Sequence, residues 1–340
     1  MGTAPLADEE AFPLNTPVLI AGSLREAAKL KAKEDTENKG EGTLPGALDS
    51  IFDQAGAVVV VIRVAKGDTD TETTANVIGG VNATTGNYEG LKALLGAESK
   101  LGVVPRILVA PGFTHQRDNA ANAVVAELKG IAQRMRAVVI ADGPNKNDEA
   151  AIQYAGDFGD ARVYVVDPWV LKLDDKGKTV AAPASPCVAG LLARIDNDEG
   201  FWVSPSNHEI SGIVGTARPV DFTLGDSNAR ANLLNEKKIA TIVRQDGYRL
   251  WQPHAFIRSQ VGVPVRAPHG RHDQRVAAAR APLGCGQGHH ENLPGGRDRG
   301  RQCVSAQPDG QGRHHRRKLL GRSGAEHRRP DRPGQGLLRL

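Results

Sequence analysis

Along the first 250 positions, short unbroken apolar runs alternate with stretches whose apolar residues recur at helical spacing, which predicts strands and helices in turn. TPVLIAG (Thr16–Gly22) reads as a first strand, followed by a helical stretch, LREAAKLKAKEDTE. AVVVVIRVA (Ala57–Ala65) is the plainest strand, β-branched and apolar on both faces, as suits a strand buried between helix layers. The polar stretch GDTDTETTANVIGGVNATTGNYEG predicts loops or a small hairpin, and a short helix follows around Leu91–Glu98. Three βα units come next. RILVAPGF precedes a helix from about Asn119 to Met135, with Val124, Leu128 and Ile131 on one face. RAVVIADGP precedes NDEAAIQYAG, where Asn147 or Asp148 suits the helix N-cap. ARVYVVDPWV precedes a loop rich in Asp, Lys and Pro and then the helix PCVAGLLARIDND.

Strands alternating with helices predict an α/β fold, a largely parallel sheet with flanking helices over residues 16–199, after an N-terminal segment 1–15. Over 200–251 the pattern changes to a small mixed α+β segment: a loop, short strands, a helix at Asn228–Asn235, and a strand pair. In that pair, IATIVRQDGYRLW, Asp246-Gly247 supplies a hairpin turn. After Trp251, Gly, Pro, Arg, His and Gln dominate and no period survives, so 252–340 reads as a disordered or non-native basic tail.

Charge sharpens that boundary. The chain carries +4 overall, yet residues 252–340 hold sixteen Arg, one Lys and six acidic residues, whereas residues 1–251 are net acidic. All three Trp and all four Tyr lie at or before Trp251, and eight of ten His lie after it. A basic arm of this kind ordinarily suggests nucleic acid, with Arg313–Lys318 the densest cluster. No aromatic residue is interleaved there for base stacking, and translation of GC-rich DNA out of frame yields the same composition. No apolar stretch approaches the roughly 20 residues of a membrane span. The acidic start, MGTAPLADEEAFPLN, lacks a signal-peptide core. Cys187, Cys285 and Cys303 make neither a disulfide framework nor a zinc spacing, which fits a reducing cytosol.

The candidate chemistry is thin. Gly112 and Gly143 sit at strand ends where α/β proteins bind ligands, but neither belongs to a phosphate-binding glycine pattern, and Pro111-Gly112 and Gly143-Pro144 suit plain turns. Asp142, Asp157, Asp160 and Asp167 lie near strand ends; capping and solvated loop roles fit them better than a cation site. His289-His290 and Cys285 lack metal-site spacing. Cys187 on an apolar helix reads as buried and inert, His115 and His208 as surface or loop residues, and Trp169, Trp202 and Trp251 as core or inter-subunit packing. No catalytic residue, cofactor or metal ligand is predicted. A small-molecule enzyme on this α/β architecture and a protein with a basic nucleic-acid-binding arm are the alternatives.

AFPLNTPVLI, RILVAPGF, SPSNHEISGIVG and LLNEKKIATIVRQDGYRLW, in this order and spacing, resemble the tail sheath family of contractile phages and phage-tail bacteriocins. The resemblance covers almost all of residues 1–251 and implies a structural, non-enzymatic subunit. Such subunits stack as hexameric rings around a tail tube and contract to drive it through the host envelope. Implied partners are copies of itself, the tube protein, and baseplate and tail terminator proteins, with no membrane and no specific nucleic acid. The implied location is the virion tail, with assembly in the host cytoplasm. Subunit contacts are expected near Ser204, Asn207, Ile210, Gly212, Asn235, Tyr248 and Trp251.

Two departures from the family follow. In relatives GYRLW continues into a segment resembling GNRTLSSDP and a large C-terminal α/β domain. Here QPHAFIRSQ follows Trp251, and permitted codons for it, shifted by one nucleotide, yield NRTLSSDP. The same shift, with codons chosen freely, can turn Arg266–Arg275 and Ala279–Arg301 into sheath-like strings. A change of reading frame at or just after Trp251, and impaired assembly, are therefore expected. Relatives also carry an extra strand and an arm ahead of the GTAP-like segment, which this chain is expected to lack.

Overall fold

The computed structural model describes residues 1–22, 24–31, 41–174 and 176–252. All belong to the first of two compact units, Met1–Ala281; the expectation for the basic tail lies outside the described residues, apart from Gln252.

The chain is a mixed α/β protein. Its largest sheet has five strands: β4 (Ile107–Val109), β5 (Val138–Asp142), β6 (Val163–Val166), β10 (Ile239–Arg244) and β11 (Tyr248–Trp251), in the order β11-β10-β6-β5-β4. The pairings from β4 through β5 and β6 to β10 are parallel, and β11 returns antiparallel. Helices cover both faces, which is why the strands are unbroken apolar runs rather than alternating ones. Val138, Ile140, Tyr164 and Val166 face α7 (Ser185–Asp198) through Val188, Leu191, Leu192 and Ile195. On the other face Val139 meets Val124, Leu128 and Ile131 of α5 (Ala123–Met135). Ala141 and Val165 meet Tyr154 of α6 (Asp148–Gly156) and Leu234 of α8 (Arg230–Glu236). Asn122 and Asn147 cap α5 and α6, accepting from Val125 N at 3.0 Å and Ala150 N at 2.8 Å. Asp246 and Gly247 turn the β10–β11 hairpin with φ of 48° and 103°, the left-handed pair a tight hairpin requires. This hairpin joins the same sheet as β4–β6, so strands from before and after residue 200 share one sheet.

The first strands do not join that sheet. β2 (Pro17–Ala21) pairs antiparallel with β3 (Val58–Val64), and β1 (Gly2–Thr3) pairs parallel with β3's far end, in a separate three-stranded sheet. The helical stretch after β2 is observed as α1 (Leu24–Ala28); its continuation over 32–40 lies outside the described residues. Four regions depart from the sequence reading. Leu44–Phe52 forms a helix, α2, burying Leu44, Leu48 and Ile51. The polar stretch expected to be loop contains a helix, α3 (Asp70–Ile78), because Thr69 accepts from Glu72 N at 3.1 Å and Glu72 accepts from Asp68 N at 3.0 Å, a capping arrangement that satisfies free amides. The loop expected after β6 is a hairpin, β7 (Val170–Leu173) with β8 (Thr179–Ala182), and β9 (Gly215–Thr216) pairs on its other side. The helix expected near Leu91 is a 3-10 segment (Gly90–Gly96) running into α4 (Ala97–Leu101).

Candidate assembly surface

The anticipated contact residues gather around β11. Residues 207–210 lie along its outer edge like a further strand: Asn207 N donates to Leu250 O at 2.7 Å, Leu250 N to His208 O at 3.0 Å, and Ile210 N to Tyr248 O at 2.8 Å. This strip covers an edge that would otherwise present unpaired backbone groups. Ile210 anchors it, 3% exposed in the core under α7. Tyr248 donates its hydroxyl to Val214 O at 2.9 Å. Trp251 packs on Phe222, ring centroids 4.7 Å apart, and its indole N–H reaches Asn232 Oδ1 at 3.3 Å. Ser204 accepts from Gln252 Nε2 at 2.7 Å, closing the end of the strip. Gly212 turns the chain with φ +74°, and a Cβ there would lie 2.5 Å from Asp53 Oδ2. Asn235, at the end of α8, stands apart; its Oδ1 is buried without a partner. Ile210 thus sits inside the protein, whereas Ser204, Asn207 and Gly212 are exposed.

Exposed apolar side chains that sequence periodicity did not single out occur in the same stretch of chain. Phe201, Trp202, Val214, Leu224 and Leu233 are all exposed, Trp202 by 66% and Leu224 by 76%. Five of the twelve exposed large hydrophobics among the described residues therefore fall within 201–233. Trp169 donates its indole N–H to Gly143 O at 3.1 Å, and the exposed Trp202 lies edge-on to Phe201 with ring centroids 5.2 Å apart.

The carboxylates at the strand ends are each committed to protein partners. Asp142 is fully buried at the mouth of α7 and accepts from Ser185 N at 2.7 Å, Ser185 Oγ at 2.6 Å and Thr114 Oγ1 at 3.3 Å. Burial outweighs these bonds and pushes its carboxyl up to about 6. Asp167 is held by Arg218 and by Asn145 N at 2.9 Å, and Arg218 also clasps Asp148, which in turn takes Arg230 at 2.9 Å. Asp157 pairs with Arg117 at 2.7 Å, and Asp160 accepts from Gln133 Nε2 at 2.9 Å. Gly143 is a close approach: a Cβ there would come within 2.6 Å of Asp167 Oδ2. His115 lies in the loop after β4, edge-on to Trp169 at 4.8 Å, its basicity lowered chiefly by burial. His208 Nε2 meets Glu199 at 3.0 Å. Cys187 is buried, its thiol pushed up to about 11 by desolvation. Among the described residues no cluster of His, Cys, Asp and Glu has the arrangement of a metal site, and no helix is long and apolar enough to cross a membrane.

A family profile described as phage tail sheath protein central domain matches residues 86–253, which include every residue of the β11 strip. A prophage major tail sheath protein of Pseudomonas aeruginosa (strain UCBPP-PA14) is 48% identical over 206 residues, 60% of this chain and 52% of that protein. The chain belongs to the contractile phage tail sheath family. The tail sheath protein of Escherichia phage P2 is 36% identical over 257 residues, 73% of this sheath-family chain and 61% of its relative. The chain therefore spans between about half and three fifths of the length of these two curated relatives. A solved structure described as the anti-feeding prophage baseplate in contracted state superposes with a TM-score of 0.52 at 18% identity, covering 76% of the sheath chain and 66% of that one. At that identity the likeness is one of fold.

Proposed function

We propose that the chain is a structural subunit of a contractile tail sheath that polymerises with copies of itself around a tail tube and shortens to drive the tube through a host envelope. The observation that carries this reading is the sheath-domain match over residues 86–253. The mechanism is mechanical: subunits are held in a metastable packing, and energy is released as they swing and remake contacts, with no nucleotide, cofactor or metal and no catalysis. Residues 16–199 serve as the outward-facing body, and 200–251 begin the connection to an inner domain. The exposed apolar side chains at 201–233 support a contact role for that connection. Tube, baseplate and tail terminator proteins are the expected partners, and the virion tail the expected location after assembly in the host cytoplasm.

The profile match ends at residue 253, beside the change in composition after Trp251, and this supports a change of reading frame there. On that reading this chain assembles poorly. Electron microscopy of two purified proteins tests both statements. The chain as it stands should give no tubes of normal length, and a version restored to the neighbouring frame after Trp251 should give them. Regular tubes from the unaltered chain would overturn the impairment; a restored chain that never polymerises would overturn the sheath role.

A further inference from the structure

Residues 218–230 leave the body of the protein and return to it at one carboxylate. Asp148, the first residue of α6, takes Arg218 on Oδ1 and Arg230 Nε on Oδ2, the latter at 2.9 Å, so both ends of the segment are clamped on a single side chain. Further bonds close the same neck. Arg230 N donates to Asp221 Oδ2 at 3.2 Å, Ala231 N to Asp221 O at 3.2 Å, and Arg230 Nη1 to Pro219 O at 3.3 Å. What lies between is a loop folded on itself: Asp226 N donates to Thr223 O at 3.2 Å and Asn228 N to Asp226 Oδ1 at 2.9 Å, while residues 223–228 are exposed.

Two ties join this loop to the end of β11. Phe222 packs on Trp251 with ring centroids 4.7 Å apart. Asn232 of α8 donates its amide to Asp226 O and accepts from the Trp251 indole N–H at 3.3 Å, so one side chain holds loop and strand together. Nearer the neck the loop and the hairpin are separated: a cavity of about 290 Å³ is lined by Pro219 and Val220 from the loop's base and by Ile242, Arg244 and Tyr248 from the hairpin. Trp251 follows Leu250, whose amide and carbonyl hold the edge strip through His208 and Asn207. We propose that residues 218–230 are a latch on the end of β11: the Asp148 clamp keeps the loop closed, the closed loop holds Trp251, and Trp251 leaves its place only as the loop opens. Coupling of this kind is reciprocal. A displacement at Trp251 therefore reaches the surface at Leu224, 76% exposed at the loop's tip, and a contact made at that tip reaches the strip on β11. Any use of the latch in contraction rests on the sheath reading; the coupling itself does not.

The test reads amide hydrogen exchange by NMR on the full chain, with each rate taken relative to Leu191 and Leu192 of α7, which report global opening. Asp148→Ala removes the clamp. Exchange should then speed by about tenfold at Asp226 and Ala231, and by about fivefold at Leu250. In a chain where Phe222→Ala and Asn232→Ala cut both ties, Asp148→Ala should still speed Ala231 but leave Leu250 unchanged. Loop amides that rise no more than those of α7 would overturn the clamp. A loop that responds while Leu250 does not would overturn the latch, as would a Leu250 response that survives the loss of both ties. No outcome bears on the sheath reading, because assembly is not measured.

Discussion

Asp142 is a buried carboxyl whose ionisation the fold opposes, and Asp142→Asn isolates that cost. The carboxyl sits at the N-terminal end of α7, where the helix dipole and the Ser185 and Thr114 bonds favour the charged form, yet desolvation wins and raises it from 3.8 to about 6. A carboxyl with a raised folded-state pKa holds its proton in the native state where the unfolded chain has already lost it. The native state therefore binds more protons between about pH 4 and 6, and stability falls as pH rises through that window. A shift of roughly two units at about 1.4 kcal/mol each is a loss of about 3 kcal/mol, complete above the folded pKa. Asn keeps the acceptor for Ser185 N, and its amide can donate to the Ser185 and Thr114 hydroxyls, which accept as well as donate. Urea unfolding of both proteins from pH 4 to 7.5 should therefore give a stability difference, variant minus parent, that climbs by about 3 kcal/mol in favour of the variant. The difference cancels every other titrating group. A flat difference across this range would refute the reasoning, because the three hydrogen bonds and the helix end would then offset desolvation in full.

Arg218→Met strands Asp167, fully buried, without its countercharge. It should cost about 3–5 kcal/mol at pH 7, less at pH 4 where Asp167 can take up a proton, and equal losses at the two pH values would contradict this. Gly212→Ala forces a side chain onto a φ of +74° with its Cβ 2.5 Å from Asp53 Oδ2, itself bonded to Lys172 at 2.7 Å. A loss of about 1–3 kcal/mol in urea unfolding is expected, and an unchanged midpoint would count against the turn described. Trp202→Ser alters a side chain 66% exposed; stability should stay within about 0.5 kcal/mol while sedimentation of the frame-restored chain shows less polymer. Undiminished polymer would remove Trp202 from the contact surface.

What the sequence disclosed tracks which interactions are local. β4, β5 and β6 with α5 and α6 were legible because both faces of each strand are apolar and asparagines cap both helices. α3 was obscured because it buries only Thr73 and Val77, too few for a periodic signal; Thr69 and Glu72, three residues apart, were the available cue. α2 was hidden by Pro45 and Gly46, although Leu44, Leu48 and Ile51 do repeat at helical spacing. The Arg218 clasp joins residues 51 and 70 positions apart, which no local pattern records. The same holds for residues 207–210, whose place beside β11 depends on tertiary register. Family resemblance reached further than periodicity here, and the fold supplies a reason. SPSNHEIS and LLNEKKIATIVRQDGYRLW, separate in the chain, form one unit: α8, the β10–β11 hairpin and the strip on its edge, bonded through Asn207, His208 and Ile210 to Tyr248 and Leu250. The backbone of each string completes the pairing of the other, so the two recognisable strings are the two halves of a single structural joint.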